Sequence, residues 1–121
     1  MIDHIGINVS DVAKSKKFYE SALAPLGYKA LMEFPEGAGF GEERAVLWIL
    51  ARPPVSTSAH VAFSAKKRQV VRDFHAAALK AGGKDNGEPG VRENYSPNYY
   101  GAFVLDPDGN NIEVVCLAQE S

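Results

Sequence analysis

Three polar side chains stand in apolar runs where burying them without a partner would be costly: His4 in IDHIGINV, His60 in SAHVAFSA and Glu113 in NNIEVVC. Glu113 is the sharpest case, because Ile112, Val114, Val115 and Cys116 around it read as core. Two neutral imidazoles and one carboxylate with vacant positions form the facial arrangement suited to Fe(II), and Zn, Mn or Ni accept the same donors. The donors are far apart in the chain, so spacing alone is no signature. From the residues alone a plainer reading stays open: histidines satisfied by hydrogen bonds at strand starts, and Glu113 paired with Arg44, Arg52 or Arg92.

The elements that must position them follow from periodicity. Over residues 2–9, Ile5, Ile7 and Val9 alternate with His4, Gly6 and Asn8, the pattern of a half-buried strand. Ser10 or Asp11 then caps a helix over about 11–24, with Val12, Phe18, Tyr19, Ala22 and Leu23 on one face and Pro25 and Gly27 at its end. Three weaker strands, YKALMEF, AGFGEE and AVLWILA, fill 28–51, and RPPVSTS at 52–58 reads as a linker. The pattern then restarts. SAHVAFSA sets His60, Ala62 and Ser64 against Val61, Phe63 and Ala65, and residues 67–81 make an amphipathic helix stopped by Gly82 and Gly83. KDNGEPGVRENYSPN reads as a loop-rich stretch, and the closing strands YYGAFVLD and NNIEVVC flank the turn Asp106-Pro107-Asp108-Gly109-Asn110.

Sliding the chain against itself by about 56 residues aligns His4 with His60, Phe18 with Phe74, Ala22 with Ala78, Leu23 with Leu79 and Gly27 with Gly83. These identities fall at equivalent places in two strand-helix units. The expected fold is therefore α+β: one domain of two βαβββ modules, about 1–52 and 58–121, each covering one sheet face with a helix and together forming a half-barrel cup. Strand parity puts His4, His60 and Glu113 on the open faces, inside the cup.

Composition excludes several partners. The chain has 121 residues, 45% hydrophobic and 23% charged, and a net charge of −2, with Lys66-Lys67-Arg68 as its longest basic run, so nucleic acid is not expected. The start MIDHIGINVSD carries no leader and no apolar run is long enough for a bilayer, which reads as cytoplasmic with no membrane partner. Cys116 is the lone cysteine, expected as a small buried hydrophobe.

DHIGINVSDVAKSKKFYESAL, AHVAF and AFVLDPDGNNIEVV together resemble the vicinal-oxygen-chelate superfamily, which includes glyoxalase I, extradiol dioxygenases, fosfomycin-resistance transferases and bleomycin-binding proteins. The resemblance covers nearly the whole chain. It implies a glyoxalase-like fold and a divalent metal (Fe, Mn, Ni or Zn) held from the first strand of each module and the last strand, positions that are His4, His60 and Glu113 here. It further implies a lyase, isomerase or dioxygenase acting on a small substrate with two chelating oxygens. Glyoxalase I adds a carboxylate from the last strand of the first module; Trp48 lies about there in AVLWILA, which counts against glyoxalase I activity. Trp48, Tyr99 and Phe103 are candidate pocket walls, Arg92 a candidate for an anionic substrate group, and Tyr95 or Glu93 candidates for proton transfer; plain core and solvated surface remain the alternatives for them. The resemblance also implies a homodimer, in which His4 of one chain can join His60 and Glu113 of another. The competing functional reading is a non-catalytic small-molecule binding protein of the bleomycin-resistance type.

Overall fold

The computed structural model describes residues 1–119; Glu120 and Ser121, the end of the expected second module, lie outside the described residues. Eleven segments order the chain: β1 (Ile5–Asn8), α1 (Val12–Leu23), a 3-10 turn (Ala24–Leu26), β2 (Lys29–Phe34), β3 (Gly37–Gly41), β4 (Leu47–Leu50), β5 (His60–Ser64), α2 (Arg68–Lys80), β6 (Lys84–Val91), β7 (Tyr100–Leu105) and β8 (Asn111–Cys116). They form two four-stranded sheets, ordered β1-β4-β3-β2 and β5-β8-β7-β6. In each sheet the first strand runs parallel to the last, and the other neighbours are antiparallel. The fold is α+β and the sheets do not close into a barrel.

Local chemistry sets the helix ends. The Asp11 side chain accepts from the Lys14 N–H at 3.1 Å and starts α1, and Gly27 at φ 82° ends the turn that follows it. Phe18 with Ala22, and Tyr19 with Leu23, are i, i+4 pairs that make the buried face of α1; Val71, Phe74 and Ala78 do the same for α2. The helices pack on each other as well as on their sheets. Ile7, Phe40, Leu47 and Ile49 from the first sheet join Val104, Ile112, Val114 and Cys116 from the second in a single core. Among the described residues, no helix is long and apolar enough to cross a membrane.

The two units are also tied by hydrogen bonds. Tyr19, buried in α1, donates its hydroxyl to Asp106 at 2.5 Å, and the same carboxylate accepts from the backbone of Asp108 and Asn110. Asp106 thereby fixes the turn into β8, with Gly109 in the left-handed region at φ 95°. Burial, then the Asp106 charge, hold the Tyr19 phenol far above its ordinary pKa, so it stays a donor.

One expectation is corrected. The stretch from Lys84 to Val91 is not loop: it is β6, an edge strand paired with β7 through register shifts around Gly87 and Gly90. Its polar, glycine-rich sequence has no apolar alternation because it covers little core.

Candidate functional site

β8 is the element on which the site rests. Alternation turns Ile112, Val114 and Cys116 to the helices, all fully buried, and leaves Asn111, Glu113 and Val115 on the opposite face. Glu113 is nonetheless only 1% exposed. Two neighbours cover and satisfy it. His60 places Nε2 2.8 Å from Glu113 Oε1, the imidazole N–H donating to the carboxylate, while the Tyr99 hydroxyl donates to Oε2. His60 itself is 54% exposed at the side chain, so a ligand can reach it from the open side while Glu113 supports it from beneath.

The surroundings are shaped for this contact. A Cβ on Gly101 would fall 3.2 Å from Tyr99 Cε1 and 3.3 Å from Glu113 Oε2, tight enough that glycine leaves the room the pair needs. Burial, followed by the hydrogen bond and charge of Glu113, pushes the Tyr99 phenol up to about 12, so it remains protonated and donating near neutrality. Tyr95 meets Tyr99 edge-on, with centroids 4.9 Å apart. Phe103 lies 6.2 Å from the His60 ring, and the Arg92 guanidinium sits 5.6 Å from the Phe103 centroid on a hydrogen bond to the Glu88 carbonyl.

The first unit arranges its open face differently. His4 precedes β1, and its Nδ1 lies 2.7 Å from Asp3 Oδ1, which also accepts from Arg44 Nη2 at 2.6 Å. The His4 hydrogen bond, with Arg44 beside it, holds the Asp3 carboxyl below its ordinary pKa. Trp48 stacks on Phe34 at 6.1 Å with ring planes 6° apart. The register makes its position comparable with Glu113: Trp48 pairs with Gly6, two residues after His4, and Glu113 pairs with Ala62, two residues after His60.

The structure thus gathers His60, Glu113, Tyr99, Phe103 and Arg92 on the second unit, and places Trp48 beside His4 on the first. His4 and His60 both line a cleft of about 380 Å³ that also touches Tyr28, Val46 and Phe63. The linker hydrogen-bonds along the free edge of β1, Ser56 N–H to the Asn8 carbonyl at 2.8 Å. Among the described residues no three His, Cys, Asp or Glu side chains stand close enough to hold a metal together. Within one chain, two of the three candidate donors meet. Those two fit a divalent ion: neighbouring ligands with metal bonds of about 2.1 Å stand roughly 3 Å apart, and a cation can take the place of the proton that Nε2 and Oε1 share.

Sequence reasoning did not foresee the Asp3–Arg44 brace on His4 or the Tyr99–Glu113 contact. The second had a signal, since Tyr99 shares parity with Gly101 and Phe103, the residues that face Glu113 and its neighbours.

Similarity to known proteins adds to this geometry. Residues 1–114 match the family model of the glyoxalase/bleomycin resistance protein/dioxygenase superfamily. A glyoxalase/bleomycin resistance protein from Albidiferax ferrireducens T118 superimposes with a TM-score of 0.83 at 27% identity, covering 94% of this chain and 97% of that one. A glyoxalase/bleomycin resistance protein/dioxygenase family enzyme from Burkholderia phytofirmans PsJN gives 0.75 at 15% identity over 97% and 98% of the two chains. Lactoylglutathione lyase from Agrobacterium tumefaciens gives 0.69 at 17% identity over 96% and 92%. The last two similarities speak to fold alone, and no curated protein matches the sequence. With the family match spanning all but the last few residues, the chain belongs to the glyoxalase/bleomycin resistance protein/dioxygenase superfamily.

Proposed function

We propose that the protein is a divalent-metal-dependent enzyme, a lyase, isomerase or dioxygenase, acting on a small molecule that presents two neighbouring oxygens. The observation that carries this reading is the His60–Glu113 pair: a buried carboxylate in hydrogen-bond contact with an accessible imidazole on the open face of a sheet. His60 and Glu113 supply two ligands and His4 the third, delivered by a second copy of the chain in a homodimer. The metal, Fe, Mn, Ni or Zn, would supply Lewis-acid polarisation of a substrate oxygen. The chain's own residues do the rest. Tyr99 holds Glu113 through Oε2 and leaves Oε1 to the site, Phe103 gives an apolar wall beside His60, and Trp48 brings a second aromatic wall with His4. Trp48 in the register position of Glu113 supports three protein ligands rather than four, and argues against glyoxalase I chemistry.

Metal content tests the reading. Protein purified without tag or chelator is expected to carry about one metal per chain, and Glu113→Ala to carry none. Mixing His4→Ala with Glu113→Ala chains should restore metal to a fraction of the dimers if the site is shared between chains. A wild-type protein that neither holds nor takes up metal would sink the proposal. The stacked Phe34–Trp48 pair on an open face favours one rival, a protein that sequesters a flat apolar molecule without metal; ligand binding unaffected by chelator and by His60→Ala would establish it.

A further inference from the structure

We propose that the hollow beside Phe103 is an oxyanion subsite, and that Arg92 is its binding residue for a carboxylate, phosphate or phosphonate group on the substrate. The proposal rests on the His60–Glu113 pair being the reacting end of the same site. The hollow, about 300 Å³, is lined by Asn86, Gly87, Arg92, Tyr95, Phe103 and Asn111.

Arg92 is pinned in a way that a solvated surface arginine is not. Its Nη2 donates to the Glu88 carbonyl at 2.6 Å and its guanidinium lies against the Phe103 ring. Glycines cut the slot it occupies: a Cβ on Gly90 would stand 2.9 Å from Nη1, and one on Gly87 would stand 3.3 Å from Nη2 and 2.7 Å from the Phe103 ring. Among the described residues, no carboxylate lies within ion-pair distance of Arg92, whereas Arg44, in the β3–β4 turn, has Asp3. A fixed, half-buried guanidinium with one side spent on a carbonyl keeps further N–H groups for a planar or tetrahedral oxyanion.

The rest of the lining agrees. It holds no acid, and its polar groups are the neutral amides of Asn86 and Asn111 and the phenol of Tyr95. Among the described residues, Asn111 Oδ1 is a buried oxygen with no hydrogen-bond partner, a polar group left unsatisfied beside the hollow. Phe103 is shared, touching Arg92 and standing 6.2 Å from His60, so an occupant anchored at Arg92 and running along this ring reaches the His60–Glu113 pair. The substrate class is therefore an acid with its oxygen pair at the other end: a hydroxy or oxo carboxylate, or the corresponding phosphate or phosphonate, and not a neutral diol.

The test uses full-length, metal-stripped protein titrated with malonate, methylphosphonate and neutral malonamide, followed by NMR at the Asn86 and Asn111 side-chain amides. Both anions are expected to shift these signals, and malonamide to leave them in place. Arg92→Gln should weaken anion binding about tenfold to a hundredfold, with Arg92→Lys in between and the metal content of both variants unchanged. The tighter anion identifies the group as a carboxylate or a phosphonate. Malonamide binding as well as malonate, no anion binding at tens of millimolar, or anion binding equal in folded Arg92→Lys and wild type would each overturn the subsite. Arg92-dependent anion binding in a protein that takes up no metal would instead sink the metal reading and leave the subsite standing.

Discussion

The two open sheet faces are built on one frame and finished in opposite ways. In the first unit Gly39 faces Trp48 across the β3–β4 ladder; in the second, Phe103 faces Glu113 across β7–β8. The bulky residue has changed strands. Trp48 needs glycine opposite, since a Cβ on Gly39 would lie 2.8 Å and 2.9 Å from its ring, whereas Glu113 leaves room for Phe103 and turns its oxygens to His60 and Tyr99. A duplicated framework can therefore carry a flat aromatic platform on one copy and acid-base groups on the other, with the helix-facing core common to both.

If the difference lies where the bulk sits, removing an aromatic ring from each face should separate the units. Phe103 is 9% exposed and packs against His60 and Arg92, so Phe103→Ala is expected to cost about 3 kcal/mol or more. Phe34 is 48% exposed and stacks on Trp48, so Phe34→Ala should cost less than about 1 kcal/mol. Urea denaturation of the two variants measures this. Equal losses would mean that Phe34 is covered in solution, as a dimer interface across the first face would require.

The exchange of bulk makes a second, smaller prediction. Gly39→Ala should destabilise by about 1–3 kcal/mol through its clash with the indole and with Ala45. Placed on Trp48→Ala, the same substitution should cost at least about 1 kcal/mol less, a coupling a double-mutant cycle reads directly. Additive losses would mean that the glycine serves the backbone of β3 rather than the ring.

Much of this contrast was legible in the sequence because strand parity is a strong constraint. IDHIGINV, SAHVAFSA and NNIEVVC each bury alternate residues against a helix, so a polar residue of the other parity must face away, and His60 and Glu113 do meet there. The equivalence of Trp48 and Glu113 in the two units was legible for the same reason. What escaped was set by contacts without a period. β6 pairs through irregular registers and hides its strand character, and the Asp3–Arg44 brace on His4 joins residues whose approach depends on the β3–β4 turn. The approach of His4 to the proposed site depends on contacts between copies of the chain, which no alternation within a strand encodes.

The outer edges give the smallest contrast and a pH-dependent one. Each helix reaches its outer strand through a side-chain contact: an ion pair from Lys16 of α1 to Glu33 of β2, and a hydrogen bond between His75 of α2 and Asp85 of β6 at 2.9 Å. The hydrogen bond to Glu33, then the Glu33 charge, raise the pKa of Lys16, so that pair contributes stability below the ordinary lysine value of about 10.4 and loses it as pH rises through the raised value. The hydrogen bond from His75, with the Gly87 N–H, lowers the pKa of Asp85, so its contribution is present above the ordinary carboxylate value of about 3.9 and disappears as pH falls through the lowered one. Lys16, Glu33 and Asp85 are partly exposed, and the effects are small. Thermal melts should nevertheless show Asp85→Asn less stable than wild type near neutrality, with the gap closing in acid, and Lys16→Met less stable near neutrality, with the gap closing in alkali. A gap for Asp85→Asn that stays constant into acid would assign its role to hydrogen-bond geometry around Gly87 and not to charge.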